Sequence, residues 1–156
     1  MSRTVPIIIV AFFLVTGIAG CDTLSPTATS YESGARRGYS ETRLSEDSYQ
    51  VRFQGNSLTL YSRVSQFVLR RCAELTLEHG RRYFITVSTT TLQHVSGDAE
   101  DINSYPFGQV TMRMLNRKED APNAIDAVIV IQETNEIAEG KLSPKARKTL
   151  NALQSQ

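Results

Sequence analysis

The pattern of apolar positions between residues 56 and 80 is that of a long amphipathic helix. No Gly or Pro occurs in 57–78. At 100° per residue one face carries Leu60, Tyr61, Val64, Val68, Cys72 and Leu75, and the opposite side carries Arg63, Gln66, Arg70 and Glu74. We expect Asn56 or Ser57 to be the N-cap and Gly80 to follow the last turn. The apolar face should pack against a hydrophobic core.

The residues before this helix predict a β-hairpin. Tyr49, Val51 and Phe53 alternate with polar residues, which is the period of a half-buried strand. Segment 39–45 precedes this strand, and residues 46–48 between the two are Glu, Asp and Ser, which favour a turn. We therefore expect two antiparallel strands joined by a short connection.

Three further segments after the long helix have strand character. Residues 83–95 are rich in β-branched and aromatic side chains, and 107–117 alternate between apolar and polar, so each predicts a strand. A polar loop is expected between them at 96–106. Segment 124–134 contains the run Ala-Val-Ile-Val-Ile, which fits either a buried strand or a buried helix.

A last helix is predicted to begin at Ser143-Pro144. Serine is a favoured N-cap and proline is favoured at the first helical position. One side of this helix would carry Ala146, Leu150 and Leu153. Together the elements predict an α+β fold, in which a small antiparallel sheet packs with one long amphipathic helix and a C-terminal helix.

The first residues have the layout of a secretory signal peptide. Arg3 precedes an apolar run over 5–19, which is shorter than the roughly 20 residues that a membrane-spanning helix needs. The tetrapeptide Ile18-Ala19-Gly20-Cys21 resembles the lipobox of bacterial lipoproteins. This resemblance implies that residues 1–20 are removed, that Cys21 receives a diacylglyceryl thioether, and that the new N-terminus is acylated. The alternative is an ordinary signal peptide that ends near a cysteine.

Composition predicts one globular domain after this leader. The chain has 156 residues, of which 40% are hydrophobic and 21% charged. Residues 22–38 are rich in Ser, Thr and Gly, so 21–38 should be the lipidated N-terminus and a flexible tether, and 39–156 the folded domain. Removing Arg3 from a chain of formal net charge +1 leaves a neutral mature protein, so we expect no nucleic-acid partner.

Three stretches resemble a family of small bacterial envelope lipoproteins of unassigned function. They are GYSETRL at 38–44, YQVRFQGNS at 49–57 and AELTLE at 73–78. The chain lacks the insertion rich in Gly, Tyr and Trp that this family usually has between its third and fourth strands. The resemblance implies an envelope lipoprotein and a helix around Asp126-Ala127, and it implies no catalytic residue or ligand.

The titratable residues form no recognisable catalytic or metal-binding motif. His79 and His94 have no Cys or His at metal-ligand spacing, and no phosphate-binding loop or nucleophile motif occurs. We expect His79 to interact with the C-terminal dipole of the long helix and Cys72 to be a small buried hydrophobe. Glu74 and Glu78 lie one turn apart and should be at the surface. No cofactor, metal or enzymatic activity is predicted.

Two charged clusters leave alternatives open. The first is an acidic loop that consists of Asp98, Glu100, Asp101 and Asn103. This loop is either solvated or supplies oxygen ligands to a calcium ion, although its spacing does not match an EF-hand. The second is a basic cluster that consists of Lys141, Lys145, Arg147 and Lys148. It is either a solvated helix face or a surface that contacts anionic headgroups or a partly acidic partner.

The expected function is that of a membrane-anchored lipoprotein with a non-catalytic structural or interaction domain in the cell envelope. Its partners would be the membrane, through lipid on Cys21, and an unidentified envelope protein. The alternative is a ligand-binding or enzymatic periplasmic lipoprotein with a pocket between sheet and helix. A deep polar cleft that contains His94 and the acidic loop would favour the alternative, whereas a filled core and a flat exposed apolar patch would favour the first hypothesis. Asp22 leaves the choice between inner and outer membrane open.

Overall fold

The computed structural model describes residues 31–34, 37–96, 103–139 and 141–155. Five strands and three helices follow one another in the order β1 (Gly38–Arg43), β2 (Ser48–Gln54), α1 (Tyr61–Glu78), β3 (Tyr83–Ser96), β4 (Asn103–Leu115), β5 (Ile125–Asp126), α2 (Ala127–Glu133) and α3 (Pro144–Gln154). The sheet order is β1-β2-β4-β3-β5, and every neighbouring pair is antiparallel. The predicted α+β class and the antiparallel sheet are confirmed.

The face of the sheet under α1 is built by the predicted alternation. Tyr49, Val51 and Phe53 of β2 are buried, and Val51 lies opposite Val110 of β4. The predicted hairpin is confirmed, with β1 and β2 in register from Gly38 opposite Gln54 to Arg43 opposite Tyr49. A bulge at Val87 interrupts the pairing of β3 with β4 and leaves this side chain exposed.

The long helix is enclosed on more than the predicted side. It contacts β2, β3 and β4 beneath it, and α2 and α3 on other sides. Every residue from 70 to 77 is buried. The assignment of Arg70 and Glu74 to an exposed face is therefore wrong, because α2 and α3 cover the side of the helix that the sheet leaves open.

The start of α1 also differs from the prediction. The helix begins at Tyr61, and its N-cap, Leu60, makes no side-chain capping hydrogen bond. Asn56 instead closes a turn before the helix, where its Oδ1 accepts hydrogen bonds from the Leu58 amide at 3.1 Å and the Thr59 hydroxyl at 2.8 Å. Leu60 and Tyr61, which were expected in the core, are exposed. The predicted end is confirmed by Gly80, which has a φ of 73°.

The ambiguous segment 124–134 forms a short strand and then a helix. β5 pairs with the start of β3, and the carboxylate of Asp126 caps α2 by accepting a hydrogen bond from the Val128 amide at 2.9 Å. In α3 the Ser143 hydroxyl accepts from the Ala146 amide at 3.3 Å, so the predicted cap is confirmed. The expected loop at 96–106 is partly wrong, because residues 103–106 belong to β4.

We predict that Gly108→Ala destabilises the domain, because Gly108 of β4 packs directly beneath α1. An added Cβ would lie 2.9 Å from Cγ1 of Val64 and 3.2 Å from Cγ2 of Val68. Overpacking of this kind costs about 1–3 kcal/mol, which urea unfolding would measure. The neighbouring change Gln109→Ala should alter the free energy of unfolding by no more than about 0.5 kcal/mol. Equal effects of the two substitutions would contradict this packing.

Candidate functional site

Arg70 is the most deeply buried charged residue that the structure describes. Its Nε donates to Oε1 of Glu74 at 3.1 Å, one turn further along α1. Its Nη1 donates to the Thr134 hydroxyl at 3.2 Å and to the carbonyl of Ile131 at 3.4 Å, and its Nη2 donates to the carbonyl of Lys141. The guanidinium therefore connects α1 with the end of α2 and with the segment before α3. Because a buried charge is costly unless it is paired and hydrogen-bonded, these partners fix where both segments lie.

Arg71 connects the same helix to β1. Its Nη2 and Nε donate to the two oxygens of Glu41 at 2.9 and 3.3 Å, which is a bidentate pair. Its Nη1 donates to Glu74 at 3.0 Å and to Glu78 at 3.1 Å. The prediction that Glu74 and Glu78 form a surface pair is wrong for Glu74, which is almost fully buried between the two arginines. Glu78 also accepts a hydrogen bond from the hydroxyl of Ser143 at 2.7 Å.

Tyr31 brings the N-terminal segment into this network. Its hydroxyl donates to Oε2 of Glu74 at 2.7 Å, and its ring packs against those of Phe67 and Tyr39 with centroids 5.2 and 4.9 Å apart. Tyr31 is a core residue, although the sequence placed it in a flexible tether that ran to residue 38. The chain is therefore already attached to the domain at Tyr31.

The charge states of the network follow from burial and pairing. Burial raises the pKa of Glu74, and the hydrogen bond from Tyr31 and the charges of Arg71 and Arg70 oppose that shift. Burial, together with the charge of Glu74, raises the pKa of Tyr31, so its hydroxyl stays protonated and donates. Burial acts to lower the pKa of Arg71, but Glu41 and Glu78 outweigh it and the pKa is raised. These shifts keep Tyr31 protonated and Arg71 charged.

An open cleft of about 520 Å³ lies beside the network. Tyr31, Glu32 and Ser33 line one side of it, and residues 141–143 with Arg147 line the other. Arg71 and Glu74 reach its wall, but each already contacts an oppositely charged group. Glu74 is 2% exposed, and its two oxygens already accept hydrogen bonds from Arg70, Arg71 and Tyr31, so it offers little to a molecule in the cleft.

The cavity between sheet and helix is small. It has a volume of about 150 Å³, whereas ligand pockets have volumes of about 300–1,000 Å³. Its wall contains Ser65, Val68 and Leu69 of α1 and neutral side chains of β3 and β4. The pocket expected under the ligand-binding hypothesis is thus nearly filled by the core.

The imidazole of His79 hydrogen-bonds at the end of α1 rather than with the charged network. Nδ1 of His79 is 2.8 Å from the carbonyl of Leu75, and Nε2 is 3.0 Å from the hydroxyl of Tyr49. Because a carbonyl can only accept, Nδ1 donates to the carbonyl of Leu75. His79 thus caps the end of α1 as a structural residue. The backbone of His94 pairs with Tyr105 in the sheet, and the side chain of His94 lies outside the described part of the chain.

Cys72 is fully buried in α1, as predicted. Burial raises the pKa of its thiol to about 12, so it is protonated and unreactive at neutral pH. Among residues whose positions the structure gives, no group of His, Cys, Asp and Glu could hold a metal ion. Of the proposed calcium loop, residues 98–101 lie outside the described residues and Asn103 begins β4.

The lipobox residues, Ile18, Ala19, Gly20 and Cys21, lie outside the described residues. Within the described ranges, no helix is long and apolar enough to cross a membrane. No protein-family model, curated protein or solved structure matches the chain. The local chemistry of the chain is therefore the basis for its functional assignment.

Arg70, Arg71 and Tyr31 were not predicted as a site, although part of the signal is present in the sequence. Arg70 and Glu74 have the i, i+4 spacing of a helical ion pair. The apolar residues of α2 and α3 must also pack against another surface. The side of α1 that faces away from the sheet is such a surface, and it carries Arg70. Nothing in the local sequence around Tyr31 indicates its docking on α1, because Glu74 and Phe67 are more than 30 residues away.

We predict that Arg70→Met strongly destabilises the domain. The substitution keeps an apolar side chain of similar length but removes the charge beside buried Glu74 and the donors to the carbonyls of Ile131 and Lys141. Breaking a buried pair in this way costs about 3–5 kcal/mol, measurable by urea unfolding. The exposed control Arg113→Met should cost less than about 0.5 kcal/mol. A neutral or stabilising effect of Arg70→Met would refute the organising role of this guanidinium.

Proposed function

We propose that this protein is a bacterial lipoprotein held at a membrane of the cell envelope by lipid on Cys21. The observation that carries the proposal is the sequence Ile18-Ala19-Gly20-Cys21 directly after the apolar run 5–19. Small residues before the cysteine fit a peptidase cleft, and the thiol can be alkylated. Acylation with two or three chains would attach the mature chain durably to the bilayer.

The position of Tyr31 supports a domain that is kept close to this membrane. Tyr31 is part of the core and follows Cys21 by ten residues. Whatever its conformation, that length of chain spans at most about 33–36 Å. The domain would therefore work within one domain diameter of the headgroups, facing the periplasm or the exterior.

We further propose that the domain is a non-catalytic interaction or structural module. Arg71 and Glu74 at the wall of the cleft beside the network are already paired, and the cavity between sheet and helix is small, which argues against the ligand-binding or enzymatic alternative. An apolar surface is available to a protein partner where α1 begins. Leu58, Leu60 and Tyr61 are 49%, 68% and 40% exposed there.

We predict that Cys21→Ser abolishes membrane attachment and lipid incorporation, because serine offers no thiol for the thioether. Cells that express the full chain would be labelled with a radioactive fatty acid and separated into membrane and soluble fractions. The unmodified protein should be labelled and recovered with membranes, and Cys21→Ser should be unlabelled.

The matched control is Cys72→Ala, which removes the other cysteine from the buried core. This variant should keep both label and membrane attachment, even if its stability falls. Absence of label from the unmodified chain, or equal labelling of the Cys21→Ser variant, would contradict the lipoprotein assignment.

A further inference from the structure

We propose that the exposed side of α3 rests on the anionic surface of the membrane that holds the lipid anchor. This inference rests on the proposed function, since lipid on Cys21 brings the domain to a bilayer. The surface consists of Lys145, Arg147 and Lys148 and is called the α3 basic face below.

The α3 basic face carries charge that is not neutralised within the described part of the chain. The 11 residues of α3 include no Asp or Glu, and its three cations are exposed and form no ion pair with a described residue. Ala146 is buried, and Leu150 and Leu153 pack on the core. Lys141, by contrast, pairs with Glu139 at 3.1 Å. The apolar side of α3 is therefore occupied, and its basic side is available.

The anchored end of the chain joins the domain next to this face. Tyr31 and Ser33 line the same cleft as Arg147 and Lys141. Glu32 lies in this cleft too and contributes one negative charge, which leaves the neighbourhood of the three cations net positive. A chain that arrives from the membrane at Tyr31 therefore arrives beside the α3 basic face.

The length of chain between anchor and domain places this face within reach of the headgroups. Ten residues from Cys21 to Tyr31 span at most about 33–36 Å, and α3 is about 16 Å long. The opposite arrangement, with α3 pointing away from the bilayer, would leave these cations in solvent. Electrostatic attraction favours the orientation in which the three cations contact the anionic membrane surface.

Charge complementarity selects an anionic lipid surface as the occupant. Each Lys or Arg near such a surface raises membrane affinity by about fivefold. The nearby network has two arginines, Arg70 and Arg71, against the carboxylates of Glu41, Glu74 and Glu78, so it keeps one negative charge. This charge reduces the attraction of the three α3 cations but does not cancel it. The mature chain is neutral overall, so an anionic membrane does not attract the protein as a whole. The attraction acts on the α3 basic face and therefore orients the domain.

The test uses the mature lipidated protein with Asn151→Cys, labelled at that thiol with an environment-sensitive fluorophore. Asn151 is exposed on α3, whereas Cys72 is buried and Cys21 would be blocked as a thioether. The protein is reconstituted into vesicles of phosphatidylcholine, or of phosphatidylcholine with phosphatidylglycerol. Quenching of the fluorophore by acrylamide measures how exposed α3 is.

We expect a loss of quenching in the phosphatidylglycerol vesicles only, and recovery of quenching at about 1 M salt, where screening is strong. Combining Lys145→Gln, Arg147→Gln and Lys148→Gln should abolish the difference between vesicles. A control with the same change of charge on other elements, Arg52→Gln, Arg113→Gln and Lys118→Gln, should preserve it.

Three results would overturn the inference. Quenching that is equally strong in both vesicles would show that α3 is not on the lipid, as would be found if its partner were an acidic protein. Quenching that is equally weak in both would show an apolar contact instead of an electrostatic one. A protein that fails to stay with phosphatidylcholine vesicles would lack the anchor itself, so failure of the proposed function is distinguished from failure of the α3 contact.

Discussion

The two buried guanidinium groups of α1 determine how the parts of this domain are arranged. Arg70 is fully buried and connects α1 with the end of α2 and with the chain before α3, while Arg71 connects it with Glu41 of β1. Removing charges from water costs several kcal/mol per ion unless partners replace the lost hydrogen bonds. The elements around α1 must therefore take the positions that supply those partners. Apolar packing alone would tolerate several placements of the two short helices.

The same network places the N-terminal segment next to α3. Glu74 accepts from Tyr31 and so attaches the N-terminal segment to α1, next to the cleft that Arg147 of α3 also lines. The carboxylate of Glu74 thus makes α3 a neighbour of the chain segment that leads back to Cys21. If Cys21 carries lipid, this proximity makes the anchor a means of orienting the domain on the membrane.

Much of the fold follows from patterns within ten or twenty residues. The alternation in β2 and β4, Gly80 after α1 and Ser143-Pro144 at α3 each specify a local conformation, and the structure agrees with all of them. The errors arise where distant residues decide the outcome. The burial of Arg70 depends on α2 and the segment before α3, some 60 to 70 residues away. The helical periodicity of α1 gives no indication that these elements cover that side of the helix.

Glu74 docks the segment around Tyr31 on the domain, and amide hydrogen exchange at Gly34 tests this docking most directly. The Gly34 amide donates to the carbonyl of Tyr39 at 3.1 Å only while this segment is in place. We expect slow exchange at Gly34 in the unmodified protein, and fast exchange in Tyr31→Ala while the amides within α1 stay protected. Exchange of Gly34 at the rate of an unprotected amide in the unmodified protein would contradict the account.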